Sequence, residues 1–285
     1  MFSRRTQLFI LALIAIPFIS CNQLNGVCFV PALDGYPNQP GSTILLKKPL
    51  REISGISYHN PGQLAAVNDE QGKLFILTTS NGKFNTLSFG GKGDYEDITR
   101  TPEGYYVLKS NGNLHLLDGR TGKEITVYPL RFGKFTEFES VCFDSKKNRL
   151  LLICKSCGRN EPAVYAWAFN LDTHQLEEQP VFRIDWKEIR RLGKDDTIEF
   201  LPSAAEFHPV TGKLFILSST AKLLLQCSSE GIPELATGLN PDLFQQPEGL
   251  CFSPNGDLFI SNEGRQSKAS LLFFPYQPAP AAMTR

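Results

Sequence analysis

The 285-residue chain has no surplus of either charge. Its 29 Lys and Arg are balanced by 29 Asp and Glu, for a formal net charge of zero. A protein without a basic field has nothing to hold a phosphate backbone, so nucleic acid is excluded as the expected partner. Histidine is equally sparse, with four in the whole sequence, and no serine or cysteine nucleophile shares an evident location with any of them. That argues against a Ser-His-Asp hydrolase. No glycine-rich loop ending in Lys and Ser or Thr occurs, which removes the common phosphate cradle. Hydrophobic residues make up 41% of the chain, enough for a globular core and too many for wholesale disorder.

The one long apolar run lies at the start. In MFSRRTQLFILALIAIPFISC, Arg4 and Arg5 precede the stretch Leu8 to Ile19, which is short for a membrane span and suits a signal peptide over residues 1–20. Ser20 followed by Cys21 resembles a bacterial lipobox, although Phe18 stands where leucine is usual. On this reading Cys21 becomes the lipidated first residue, and the protein is exported and anchored to a bacterial cell membrane, at the outer membrane or the periplasmic face. The alternative is an ordinary cleaved signal with an unrelated cysteine nearby. Residues 21–42, mixed in Asn, Gln, Gly and Pro, are expected to form a flexible tether, with the folded domain spanning 43–285.

Six cysteines remain. Cys154 and Cys157 form the only close pair, but they end the strand-like run RLLLIC and do not open a helix, so a redox site is not expected. A lone C-x-x-C also falls short of the four ligands of structural zinc. Buried thiols or one local disulfide are the simpler outcome.

One short pattern recurs five times: EISGISY at 52–58, DYEDITR at 94–100, EFESVCF at 137–143, LPSAAEF at 201–207 and QPEGLCF at 246–252. A turn signal follows each, then further strand-like runs, so that a unit holds four short antiparallel strands. Such units are the blades of a β-propeller. The third motif residues, Ser54, Glu96, Glu139, Ser203 and Glu248, are separated by 42, 43, 64 and 45 positions. The long interval contains WKEIRRLGKDDTIEF, a charged segment suited to a short helix and too small for another blade. The last unit is one strand short, and TILLKK at 43–48 has no blade of its own. An all-β, five-bladed propeller follows, closed by an N-terminal strand completing the last blade, with six blades as the alternative. Phe75, Phe143, Phe207, Phe215, Phe252 and Phe259 recur at matching positions and are expected in the core between blades.

EISGISY, VNDEQGKLFIL, PSAAEFHPVTGKLFIL and QPEGLCFSPNGDLFISNE resemble the SdiA-regulated, YjiK-like propeller family over roughly Lys48 to Pro275. That resemblance implies an exported or membrane-tethered propeller of undefined biochemical role. Short acidic motifs are more distantly similar to phytase-like and paraoxonase-like propellers, which implies calcium in the channel.

In a propeller the start of each first strand and the end of the second share one mouth of the channel. The expected mouth therefore gathers Ser54, Glu96, Glu139, Ser203 and Glu248 with Asp69, Lys109, Lys155, Asn262 and Glu263, within a register error of one or two residues. Converging glutamates of low solvent access must be neutralised. Calcium is one solution, held off-centre by Glu248, Glu263, Asn262, Asp69 and Ser54. Lys109 and Lys155, paired internally with Glu96 and Glu139, are the other. A binding module for an unidentified small-molecule or protein ligand is the first expectation, and a metal-dependent hydrolase of lactonase or phosphoesterase type the second.

Overall fold

The computed structural model describes residues 26–132, 136–157, 162–265 and 267–278. Cys21 and the signal-like run lie outside them. The chain forms five antiparallel sheets. Blade one is β3 (Ile53–Asn60), β4 (Gln63–Asn68), β5 (Gln71–Thr78) and β6 (Phe84–Lys92), and blade two is β7 (Tyr95–Thr101), β8 (Gly104–Lys109), β9 (Leu114–Leu117) and β10 (Glu124–Tyr128). Blade three contains β11 (Thr136–Asp144), β12 (Arg149–Cys157) and β13 (Ala163–Asn170), whose outer edge pairs with both β14 (Gln175–Leu176) and β15 (Phe182–Asp185). Blade four is β16 (Ala204–Phe207), β17 (Leu214–Ser218), β18 (Leu223–Cys227) and β19 (Pro233–Leu239). Blade five is β20 (Pro247–Phe252), β21 (Leu258–Asn262) and β22 (Ser270–Phe274), completed by the N-terminal β2 (Ser42–Leu45), with Thr43 opposite Leu272.

The inner strands touch in the circular order β3, β7, β11, β16, β20 and back to β3, which makes this a five-bladed β-propeller. Between blades three and four the charged insert forms α1 (Trp186–Gly193), opened by Asp185, whose carboxylate accepts the Lys187 N–H at 2.9 Å.

Turn residues set the blade edges, and apolar residues set the contacts between blades. Five buried clusters lie one at each junction between neighbouring blades. At the junction of blades one and two, Val67 and Leu74 meet Ile98 and Tyr105; at that of two and three, Leu108 and Tyr106 meet Phe138 and Val141. Each such side chain contributes about 1.5–3 kcal/mol on burial. Phe75, Phe215, Phe252 and Phe259 are core as expected, while Phe143 and Phe207 are only half-buried.

The described part of the expected tether is packed. β1 (Phe29–Val30) adds a fifth strand to blade four against β19, and Cys28, Phe29, Leu33 and Tyr36 are buried in the junction of blades four and five. Tyr36 Oη donates to the Gly256 carbonyl at 2.7 Å, and the Gln277 N–H donates to the Gly35 carbonyl at 2.7 Å. Four apolar anchors hidden among Asn, Gln and Pro outweigh a composition that reads as linker. The packed body begins by Cys28, ahead of residue 43.

Cys154 and Cys157 are joined by a disulfide within β12, while Cys28, Cys142, Cys227 and Cys251 are buried thiols.

Closure at the axis depends on side chains that are missing or short. A Cβ on Gly55 would lie 2.5 Å from the Asp97 Cα, and one on Gly249 would lie 2.7 Å from the Ser54 carbonyl oxygen. Glycine is required where the backbones of neighbouring blades approach this closely. Gly55→Ala is expected to lower unfolding stability by about 1–3 kcal/mol, the usual cost of overpacking. Gly91, with nothing within 4 Å of an added Cβ, is the control. Denaturant midpoints of G55A and G91A check this, with G91A expected within about 0.5 kcal/mol of the parent.

Candidate functional site

At the N-terminal end of the inner strands lies a polar cavity of about 330 Å³. Its wall includes Ser54, Glu96, Glu139, Ser203 and Glu248, the third residue of every motif, so the five-fold register brings residues up to 194 positions apart to one mouth. Asp69, Lys155 and Glu263 join them from the ends of the second strands. Glu52, Asp94 and Glu137, at the first motif position, complete an acidic rim.

Two expected residues are elsewhere. Lys109 turns away and lies over the Tyr95 ring, 5.1 Å from its centre, while the next residue, Ser110, faces the mouth. Asn262 is buried, its Nδ2 donating to the Leu243 carbonyl and to Ser270 Oγ, both at 3.1 Å. Asn68 holds the Pro49 carbonyl in the same way at the matching place in blade one. Both asparagines anchor the loop entering the inner strand. Successive strand residues face opposite sides, so an error of one position exchanges an anchor for a lining residue.

Arg265, which the sequence pattern does not single out, also lines the cavity. It comes from the loop after β21 and no repeat marks it. Its Nε stands 3.5 Å from Glu263 Oε2.

Lining carboxylates outnumber cations eight to two. Lys155 Nζ donates to Glu139 Oε1 at 2.7 Å, so the expected ion pair exists in blade three. Burial works against the charge on Lys155, but Glu139, Glu96 and Glu248 together raise its pKa. Asp94 Oδ2 accepts the Ser110 hydroxyl at 2.5 Å. Glu96, Glu248 and Asp69 have no ion-pair partner among the described residues, and Asp69 Oδ1 is buried with no hydrogen bond.

The carboxyls respond as undercompensated charges do. Burial, and then the neighbouring Glu139 and Asp94, push Glu96 well above the usual carboxylate range. Burial pushes Glu248 up to about 7, with Glu139 and Glu263 adding to it, and pushes Asp69 up to about 6, helped by Glu52 and Glu263. Glu139 is raised by burial despite Lys155.

Ser54 Oγ donates to the Tyr95 carbonyl at 2.7 Å and Ser203 Oγ to the Pro247 carbonyl at 3.0 Å. Both hydroxyl protons are spent joining blades. Deeper in the channel, Asp97 accepts from Ser140 Oγ at 3.0 Å and from the Val141 N–H at 2.9 Å, joining blades two and three.

The lining contains no histidine. His59 pairs with Tyr105, His115 with Glu124 at 2.6 Å and His174 with Glu103 at 3.1 Å, while His208 lies at the other end of the channel. Among the described residues no three His, Cys, Asp or Glu side chains converge tightly enough to form a ready metal cage. The lining oxygens are spread over a cavity and would reach an ion in part through water.

The raised carboxyls make stability depend on pH. Glu248 ionises near pH 4.3 in an unfolded chain but holds its proton to about pH 7 when folded. Between these values the folded state binds more protons, so stability falls as pH rises. Glu248→Gln is expected to remove up to about 1.4 kcal/mol per pH unit of that slope between pH 5 and 7. Urea midpoints across this range check it, and an unchanged slope contradicts it.

No curated protein matches the chain. Among solved structures it is similar to a nidogen/laminin complex, with 11% identity over 76% of this chain and 74% of that one and a TM-score of 0.51. It is also similar to a luciferin-regenerating enzyme, with 11% identity, 84% and 98% coverage and a TM-score of 0.49. Streptogramin B lyase gives 14% identity, 81% and 67% coverage and a TM-score of 0.44. At such identity these likenesses concern the fold alone. The model of the SdiA-regulated family matches residues 44–266, from the strand that closes blade five to the loop carrying Arg265. The chain belongs to the SdiA-regulated family.

Proposed function

We propose that this protein is a lipid-anchored binding module of the bacterial cell envelope that captures a cationic ligand in its acidic mouth, with calcium as the ion its oxygen donors favour. The observation that carries this reading is the imbalance of the lining: eight carboxylates face two cations, and Glu96, Glu248 and Asp69 are half-buried with no ion pair of their own among the described residues. Unpaired carboxylates in a confined space cost free energy, and a bound cation offsets that cost. Carboxylate and hydroxyl oxygens are hard ligands of the kind calcium takes, in flexible geometry and with water completing the shell. The address rests on the sequence, where Arg4, Arg5, the apolar run from Leu8 and the Ser20–Cys21 junction have the plan of a lipoprotein signal. The Lys155–Glu139 pair favours capture over a purely structural ion network, because one lysine shared among Glu139, Glu96 and Glu248 leaves the lining short of positive charge.

Calorimetric titration of the purified full chain with calcium chloride tests the mouth. Binding is expected in the micromolar to millimolar range, weakened at least tenfold by combining Glu96→Gln with Glu248→Gln. No heat of binding, or equal affinity in the double variant, would overturn the reading.

A further inference from the structure

The other end of the channel carries a second cavity of about 390 Å³ with different chemistry. The same repeat builds it: the last residue of each motif, Tyr58, Arg100, Phe143, Phe207 and Phe252, lines this mouth. Phe143 and Phe207, expected in the core, are only half-buried there. Four of the five positions are aromatic, so the wall is largely apolar where the first mouth is acidic. A concave apolar site with one or two placed polar groups is the usual form of a small-molecule pocket.

Glu206 is the polar group just inside the aromatic ring. Its Oε1 accepts the Phe207 N–H at 2.9 Å, and it has no ion pair among the described residues. Asp144 and Arg100 beside it are committed elsewhere. Asp144 accepts from Arg149 Nε at 3.1 Å. Arg100 donates to the His59 carbonyl and lies 5.7 Å from the centre of the Tyr105 ring. His208 is neutral, held down to about pH 4 by burial, and its Nδ1 accepts the Val210 and Thr211 N–H groups at 3.1 Å each. Lys146 is exposed at the rim beside the Gly212 turn. Burial raises Glu206 to about 8, as expected for a carboxyl whose charge nothing nearby answers.

We propose that this second cavity binds an ammonium group carried on an apolar body, with the Glu206 carboxylate as counter-ion and Tyr58, Phe143, Phe207 and Phe252 as the wall. Aromatic faces attract a desolvated cation by about 0.5–2 kcal/mol each, and a half-buried carboxylate supplies the directional partner. An anionic ligand would gain no ion pair from Glu206, whose carboxyl keeps its proton to about pH 8 when no cation answers it. A neutral apolar one would leave the carboxyl unsatisfied. Lys146, exposed at the rim, admits a ligand that also carries a carboxylate, so simple amines and aromatic amino acids share the chemistry proposed.

Isothermal titration of the full chain with phenethylammonium, phenylalanine and the neutral 2-phenylethanol tests this. Phenethylammonium is expected to bind at least tenfold more tightly than the alcohol, and Glu206→Gln to remove that advantage. Phenylalanine binding as well as the amine would show that the rim accepts the carboxylate; phenylalanine failing while the amine binds would restrict the class to simple amines. Equal affinity for amine and alcohol, no amine binding, or full amine binding in E206Q would overturn the proposal, the last by placing the amine elsewhere, as in the acidic mouth. If E206Q does not fold, the comparison of amine with alcohol on the parent protein decides.

Discussion

The whole molecule depends on how closely five inner strands can approach one axis. Gly55 and Gly249 give up their side chains so that neighbouring backbones can meet, and the short polar side chains beside them join the blades. Ser54 reaches the Tyr95 carbonyl, Ser203 reaches the Pro247 carbonyl, and Asp97 receives the Ser140 hydroxyl together with the Val141 N–H. Each bond satisfies a group that would otherwise be stranded away from water at a cost of about 1–3 kcal/mol. The apolar clusters between blades supply most of the burial, while these contacts fix the register. The register in turn decides which side chains reach each mouth.

One seven-residue motif thereby produces two unlike channel mouths. Its third position faces the acidic end and its seventh the aromatic end, because a strand of about five residues spans the channel between them. Charge at one mouth is concentrated by geometry alone, since no segment of the chain is strongly acidic by itself. At the opposite mouth the same geometry gathers aromatic rings that the sequence distributes one to a blade.

Much of this was legible because propeller repeats carry position as well as composition. The spacing of Ser54, Glu96, Glu139, Ser203 and Glu248, together with the unaccompanied strand at Thr43, implies five closed blades and a shared mouth. Parity within strands was harder to read. Lys109 and Asn262 each stand one residue from a lining position, and nothing in their immediate sequence distinguishes an anchor from a liner. The segment before Thr43 resembles a linker in composition, yet Cys28, Phe29, Leu33 and Tyr36 find a junction to fill that only the assembled ring provides. Arg265 lies outside the repeat, and of the seventh-position phenylalanines lining the second cavity Phe252 is buried while Phe143 and Phe207 are half-buried, a difference that spacing does not encode.

The central claim is that gathered, undercompensated carboxylates make the N-terminal mouth a place for a cation. The most direct measurement is anomalous diffraction from crystals of the protein soaked in manganese, which reports an oxygen-ligated divalent ion by position. A peak within the mouth, reached by Glu96, Glu248 or Asp69 directly or through one water, is the predicted result. Peaks confined to the outer surface of the blades, with the mouth bridged entirely by Lys155 and Arg265, would contradict it.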